Sequence, residues 1–378
     1  IMNTVTKYTL HFFPRNFTYQ FLSWIGILIV SISFGQKKID SPAQNPKTQD
    51  AWSLLERANY YYNQGSCAKA LPLYRKAEDR GIDPDITAFN IGNCLYKMGK
   101  LSQAAASYRR SVRASEDNGK ENESALLNLG NVLFTLGEYP QSIATYNRYL
   151  KDEPLNKDAW LYLSDAYLRT KDFTGAQKAL EKAYILDSSD ASVVYQLSEI
   201  FVRLKEIDRA IDLVKKAYIV QPSEIDFLFY LGDLYGDQKN YEEAAHWYNR
   251  GIKAKPRDVE VYYKLADVLE RDKKPFLAME TLQKALALDS NYTDAEVFLG
   301  NLAYEQKWWD RAEKAYLHAA KKGNREGLEG LRNLIYDLVD KKNFKGANEF
   351  ALRISVLFAK YPLFEKEIRD WQKDWPVI

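Results

Sequence analysis

A small residue recurs along this chain at a nearly fixed interval. It stands at Ala58, Gly92, Gly130, Ser164, Ser198, Gly232, Ala266 and Gly300, in steps of 34 residues with a single step of 38. A period of that length means that each unit buries its apolar face only by stacking on its neighbours, so the chain builds a solenoid with no single core. Twelve residues after each landmark comes a second small residue, at Ala70, Ala104, Ser142, Ala176, Ala210, Ala244, Ala278 and Ala312. Four residues further on stands a large apolar one: Tyr74, Tyr108, Tyr146, Leu180, Val214, Tyr248, Leu282 and Tyr316. Within each half, apolar residues recur at helical spacing, as in Ala159, Tyr162, Leu163, Ala166 and Tyr167, and strand-like alternation is nowhere sustained. Polar breaks such as Asn63 to Ser66 and Asp237 to Asn240 divide the units, and Pro154, Pro222 and Pro256 mark their ends. The unit is helix, turn, helix, and its stack offers a groove in place of a pocket.

The residues that carry this pattern resemble a known family. The stretches AFNIGNCLYKMGKLSQAAASY, residues 88–108, and YLGDLYGDQKNYEEAAHWYNRGIKAKP, residues 230–256, are similar to the tetratricopeptide repeat. The resemblance implies an all-α, right-handed superhelical solenoid of about nine helix-turn-helix repeats, at 51–84, 85–118, 123–156, 157–190, 191–224, 225–258, 259–292 and 293–326, with a degenerate ninth at 328–361. Two departures stand out: Pro275 replaces the usual aromatic at the inter-helix turn of the seventh unit, and Ile335 stands where the ninth should have a small residue. Residues 362–378 read as a capping helix and tail, with Lys366, Glu367, Arg369 and Asp370 covering the exposed end of the stack.

The N-terminus carries a second signal. From Asn16 to Gln36 there are 21 residues without a charge, preceded by Lys7 and Arg15 and holding the apolar run Phe21 to Phe34. Ser33-Phe34-Gly35 supplies small side chains where a signal peptidase needs them, so residues 1–35 read as a secretory signal and 36–50 as a linker. The alternative is an uncleaved inner-membrane anchor with the repeats in the periplasm. The expectation is an exported, periplasmic protein, with membrane contact only if the segment is retained. An oxidising compartment makes Cys67 and Cys94, on neighbouring units, a candidate disulfide, with two buried thiols as the other reading.

Charged residues make up 28% of the chain for a net charge of +2, which gives no electrostatic case for nucleic acid. His246 and His318 sit in no metal-ligand spacing, and no phosphate loop, nucleophile elbow or CxxC occurs, so neither metal, cofactor nor enzymatic activity is expected. The pairs Glu242 with Glu243 and Asp233 with Asp237 read as solvated helix faces.

The groove is where function is expected. The resemblance implies that the residue after each small landmark points into it: Asn59, Asn93, Asn131, Asp165, Glu199, Asp233, Asp267 and Asn301. In the first three units this column is an amide ladder. Asn90 and Asn128 lie three residues earlier on the same face, and Tyr62, Tyr96 and Phe134 three residues later. Amides suit the backbone of an extended peptide, and they equally suit holding neighbouring helices; both readings stay open. In later units the acid precedes a base by four residues, as in Asp165 with Arg169, Glu199 with Arg203 and Asp267 with Arg271, which is a self-paired helix face. Asp233 with Asp237 leaves negative charge that a basic partner segment could meet. The carboxylate clamp of some cytosolic family members is not supported, because Leu55, Ser124 and Asn128 occupy its basic positions. The expected function is a scaffold or adaptor that binds a peptide or helix of another protein, in envelope assembly or secretion. The alternatives are end-to-end self-assembly through Trp308, Trp309, Trp371 or Trp375, and an enzyme using groove carboxylates.

Overall fold

The computed structural model describes residues 46–358, which form eighteen α-helices in nine consecutive pairs, with no strand among the described residues. Two compact units divide the chain, Ile1–Ile82 and Asp83–Ile378. In the first, Pro46–Asn63 packs on Cys67–Asp79 to make pair one. The second holds pairs two to nine: Pro84–Lys97 with Leu101–Asp117, Glu123–Thr135 with Tyr139–Asp152, Lys157–Arg169 with Phe173–Leu186, Ala191–Arg203 with Ile207–Val220, Asp226–Asp237 with Tyr241–Ala254, Val259–Arg271 with Pro275–Leu288, Thr293–Glu305 with Trp309–Lys321, and Arg325–Asp340 with Phe344–Phe358. The expected signal segment and the capping helix at 362–378 lie outside the described residues.

Each helix pair is held by a fit of small against large. The first-helix landmark and the residue sixteen positions on are buried together, Ala58 with Tyr74 and Ser164 with Leu180 among them, and Ala70, Ala104, Ser142, Ala176, Ala210, Ala244, Ala278 and Ala312 are all at 0% exposure. Where the landmark is glycine, the partner ring lies on its α-carbon. A β-carbon on Gly92 would stand 2.6 Å from the Tyr108 ring, and Gly130, Gly232 and Gly300 meet Tyr146, Tyr248 and Tyr316 in the same way. Where the partner is Leu180, Val214 or Leu282, the landmark is Ser164, Ser198 or Ala266, the shorter side chain leaving room for a β-carbon; pair one, with Ala58 against Tyr74, is the exception. The core is correspondingly continuous along the stack: Val112, Leu126, Tyr146, Leu150 and Leu163 share one cluster, and Leu180, Leu197, Phe201, Val214 and Leu231 share another.

The irregular places have local causes. The first helix starts at Pro46, inside the stretch read as linker, since proline costs nothing in a first helical turn. The step of 38 is absorbed by the 17-residue second helix of pair two and a turn at Gly119. Asn122 then caps the next helix, accepting from the Ala125 N–H at 3.0 Å and donating to the Asp85 carbonyl at 3.2 Å. Pro275 opens a helix, where proline is accepted, so the seventh pair forms normally. In pair nine Ile335 is fully buried, and Gly330 makes the close approach, 2.5 Å from its ideal β-carbon to the Tyr316 ring.

Every first helix ends the same way. The sixth N–H of the closing turn bonds back to the first carbonyl, as in Lys100 to Leu95 at 2.9 Å and Glu206 to Phe201 at 2.7 Å. The residue before that N–H takes a left-handed backbone, as this helix ending requires. It is Gly65, Gly99 and Gly137 in pairs one to three, and Lys171, Lys205, Lys239, Lys273, Lys307 and Lys342 in pairs four to nine.

Candidate functional site

The column after the small landmark is tied to the helix behind it. Tyr74 donates its hydroxyl to Asn59 Oδ1 at 2.8 Å, Tyr108 to Asn93 at 2.7 Å, Tyr146 to Asn131 at 2.6 Å, and Tyr316 to Asn301 at 2.8 Å. Each hydroxyl tops a buried ring, so the amide oxygen satisfies a donor that water cannot reach. Asn128 Nδ2 reaches across to Asn93 Oδ1 at 3.1 Å, joining pairs two and three, and Asn90 Nδ2 turns back to the Ile86 carbonyl at 3.0 Å. The amide ladder of the first three pairs therefore places its oxygens on the protein's own tyrosines. The sequence carried this signal unread: an Asn or Asp in the column takes a Tyr fifteen residues on wherever the bond forms. Of the aromatic candidates, Phe134 meets Tyr139 edge to face at 5.4 Å, while Tyr62 and Tyr96 are half-buried.

Pairs four, five and seven have no such tyrosine, and there the column is acidic. Glu199 binds Arg203 at 2.6 Å and Asp267 binds Arg271 at 2.9 Å, the i, i+4 pairing expected from sequence. Burial pushes the Asp165 carboxyl up to about 6, and the Arg169 charge opposes this only in part. Asp233, with Asp237 in place of a base four residues on, takes the tyrosine and adds a cation from the next pair. It accepts from the Tyr248 hydroxyl at 2.5 Å, and Lys264 of the next pair binds it at 3.0 Å. The charge that the sequence left open there is thus met from inside the protein.

Beside this column lies a second row of carboxylates with less internal relief. Burial first, and then Asp233, raise the Asp237 carboxyl above its ordinary value, against the pull of Arg271. Burial, followed by Glu305 and Asp267, raises Glu270 in the same way. Aromatic side chains run along the same first helices. Tyr195 meets Tyr230 at 5.2 Å, Tyr263 meets Phe298 at 5.4 Å, and Tyr162 is exposed against the Tyr146 ring. Burial pushes the Tyr230 phenol up to about 12, so it stays protonated at neutral pH. Pairs four to eight therefore present aromatic faces next to partly desolvated carboxylates.

The remaining candidates are placed as follows. Cys67 and Cys94 stand as two buried thiols and not as a disulfide, each side chain filling the interior of its own unit. Trp308 packs on Phe276 at 5.4 Å with the Arg311 guanidinium over its ring at 4.6 Å. Trp309 meets Tyr304 at 5.4 Å and carries Lys341 at 4.1 Å. Both tryptophans are thus half-buried among their own neighbours; Trp371 and Trp375 lie outside the described residues. Among the described residues no cluster of three metal-ligating side chains occurs, and no helix is long and apolar enough to cross a membrane.

No curated protein matches the chain significantly. Among solved structures, the C-terminal part of a TPR repeat-containing protein from Cytophaga hutchinsonii is 17% identical with a TM-score of 0.53, over 65% of this chain and 99% of that one. A tetratricopeptide repeat protein from Parabacteroides merdae is 19% identical over 76% of this chain and 98% of its own, with a TM-score of 0.38. YrrB, described as a TPR protein with an unusual peptide-binding site, is 17% identical over 50% of this chain and 96% of its own, with a TM-score of 0.39. At such identities the likeness speaks to fold alone. Profiles of the tetratricopeptide repeat match residues 55–119, 127–192, 232–273 and 259–292. With nine helix pairs in register, matched small and large positions and these profile matches, the chain belongs to the tetratricopeptide repeat family.

Proposed function

We propose that this protein is a non-enzymatic scaffold that holds a basic extended or helical segment of a partner protein along the first helices of pairs four to eight. The family is typically a platform for protein contacts, and the chemistry of this face selects the partner. The observation that carries the reading is the row Asp237, Glu270 and Glu305: burial and then Asp233 raise the Asp237 carboxyl, burial and then Glu305 and Asp267 raise Glu270, and Arg203, Lys264 and Arg271 are already engaged by Glu199, Asp233 and Asp267. A lysine or arginine arriving from a partner offsets that repulsion and finds Tyr195, Tyr230, Tyr263 and Phe298 for cation–π contact. The apolar segment from Phe21 to Phe34 supports a role outside the cytoplasm, in envelope assembly or secretion.

The test uses labelled peptides of twenty residues, basic, neutral and acidic, titrated against the full chain and against a variant carrying Asp237→Asn, Glu270→Gln and Glu305→Gln. The basic peptide should bind best, and the variant should bind it at least tenfold more weakly at low salt. Equal binding of the basic peptide by parent and variant sinks the proposal.

A further inference from the structure

We propose a second interaction surface, a row of lysines along the turns of pairs four to nine that binds an extended acidic segment of a partner protein. The row consists of Lys171, Lys205, Lys239, Lys273, Lys307 and Lys342, with φ between 58° and 64°. A side chain with a β-carbon is strained in that region, and glycine, or asparagine with its local hydrogen bond, is the relaxed choice. Pairs one to three use glycine at this very position, so the turn itself does not demand lysine. A cation at a helix C-terminus is favoured by the helix dipole at each of these six ends, yet pairs one to three present the same dipole and keep glycine, so the dipole alone does not require lysine from pair four onward.

The environment of the six is equally uniform. All are exposed, and none has a hydrogen-bond or ion-pair partner for its ammonium group among the described residues. Other lysines of the same pairs are drawn into ion pairs: Lys157 takes Asp187 and Asp190 at 2.9 and 2.8 Å, and Lys264 takes Asp233. The repeat has therefore accepted backbone strain to keep one unpaired positive charge at the same point of each turn.

Geometry selects the partner. Packed helices lie about 8–10 Å apart axis to axis and an extended chain advances about 3.3 Å per residue, so, with successive first helices taken at that spacing, acidic residues about three apart match successive lysines. The small rotation from one repeat to the next sets the lysines on a curved line. An extended chain can follow such a line, whereas a flat bilayer meets only part of it. A nucleic acid duplex would also bring its phosphates against the carboxylates Asp237, Glu270 and Glu305 of the same pairs. The carboxylates stand two or three residues before Lys239, Lys273 and Lys307, so the two rows are neighbours of opposite sign, and an extended segment with acids three apart can set its neutral residues against the carboxylates where a duplex cannot.

The test compares the full chain with a variant in which all six lysines become glycine, the residue the backbone prefers. The probe is a labelled eighteen-residue peptide with glutamate at every third position, at low and moderate salt. The parent should bind it in a salt-dependent way, and the variant should lose at least thirtyfold in affinity while its thermal midpoint stays the same or rises. The triple substitution at Asp237, Glu270 and Glu305 should leave this binding undiminished. Equal binding by parent and six-glycine variant overturns the proposal. So does a fall in the midpoint on removing the lysines, which makes them structural, or tighter binding of the parent to anionic vesicles or to a DNA duplex than to the peptide.

Discussion

The bond between Tyr146 and Asn131 allows a test of whether the amide ladder is structural. The Tyr146 ring is at 1% exposure, and its hydroxyl donates to Asn131 Oδ1 at 2.6 Å, while Ser142 Oγ is committed to the Gly130 carbonyl at 2.9 Å. Asn131 itself is half-buried. Truncating the two partners is therefore unequal. Tyr146→Phe removes one hydrogen bond and lets water reach the amide, at a cost of about 1 kcal/mol, whereas Asn131→Ala strands a buried hydroxyl, at a cost of about 1–3 kcal/mol. In the double variant no donor is stranded, so it should be no less stable than Asn131→Ala, with a coupling of about 1–2 kcal/mol. The assay is urea unfolding of all four proteins followed by circular dichroism at 222 nm. Additive losses, or an Asn131→Ala variant as stable as the parent, would refute the reasoning and return the amide to the groove as a free binding group. The same bond bears on function: a variant lacking Asn59, Asn93 and Asn131 loses internal contacts, so a binding defect in it says nothing of the groove until its stability is matched.

Two further outcomes follow from the same geometry. Asp165, whose folded-state pKa of about 6 lies above its ordinary 3.8, is favoured protonated in the folded chain. Its contribution is therefore present at low pH and lost as pH rises from about 4 through 6, by up to about 3 kcal/mol before solvent screening is discounted. Asp165→Asn should match the parent near pH 4 and exceed its urea midpoint near pH 7.5; an unchanged difference across that range rejects the assignment. Gly232→Ala places a β-carbon 2.6 Å from the Tyr248 ring and should lose about 1–2 kcal/mol, since overpacking outweighs the gain in helix propensity. Adding Tyr248→Leu should recover part of that loss, as Ala266 with Leu282 already shows the combination to be compatible; a double variant less stable than both singles contradicts the fit.

How much of this was legible beforehand depends on the range of the interaction. The nine pairs, their turns and the small landmarks were readable because stacking repeats the same steric demand every 34 residues. Pairings four residues apart on one helix, such as Glu199 with Arg203, were readable for the same reason. The contacts that decide the character of the groove cross between helices. Tyr146 to Asn131 spans fifteen residues and Lys264 to Asp233 spans thirty-one, distances at which no local spacing rule applies. The first of these was nevertheless present as covariation inside the chain, glycine with tyrosine and asparagine with tyrosine against serine or alanine with leucine or valine, with Ala58 and Asp233, each facing a tyrosine, as the exceptions. The start of the first helix at Pro46 was missed because a polar stretch rich in Lys and Gln resembles a linker as closely as an exposed first turn.

The covariation also explains why the column after the landmark changes from amide to carboxylate in the later pairs. A tyrosine at the large position needs an acceptor for its hydroxyl, and the groove-facing residue after the landmark supplies one. Pairs one to three meet this need with asparagine in each case, which leaves their groove neutral and internally occupied. When pairs four, five and seven replace tyrosine by leucine or valine, that demand disappears and the same position becomes an acid. The change coincides with the turn residue passing from glycine to lysine, between Gly137 and Lys171. A polar residue released from holding the helix behind it is free to carry charge, and pairs four, five and seven use that freedom with Asp165, Glu199 and Asp267, while pairs six and eight keep the tyrosine and its bond to Asp233 and Asn301. The core of each unit thus sets which of its surface positions can be used for recognition.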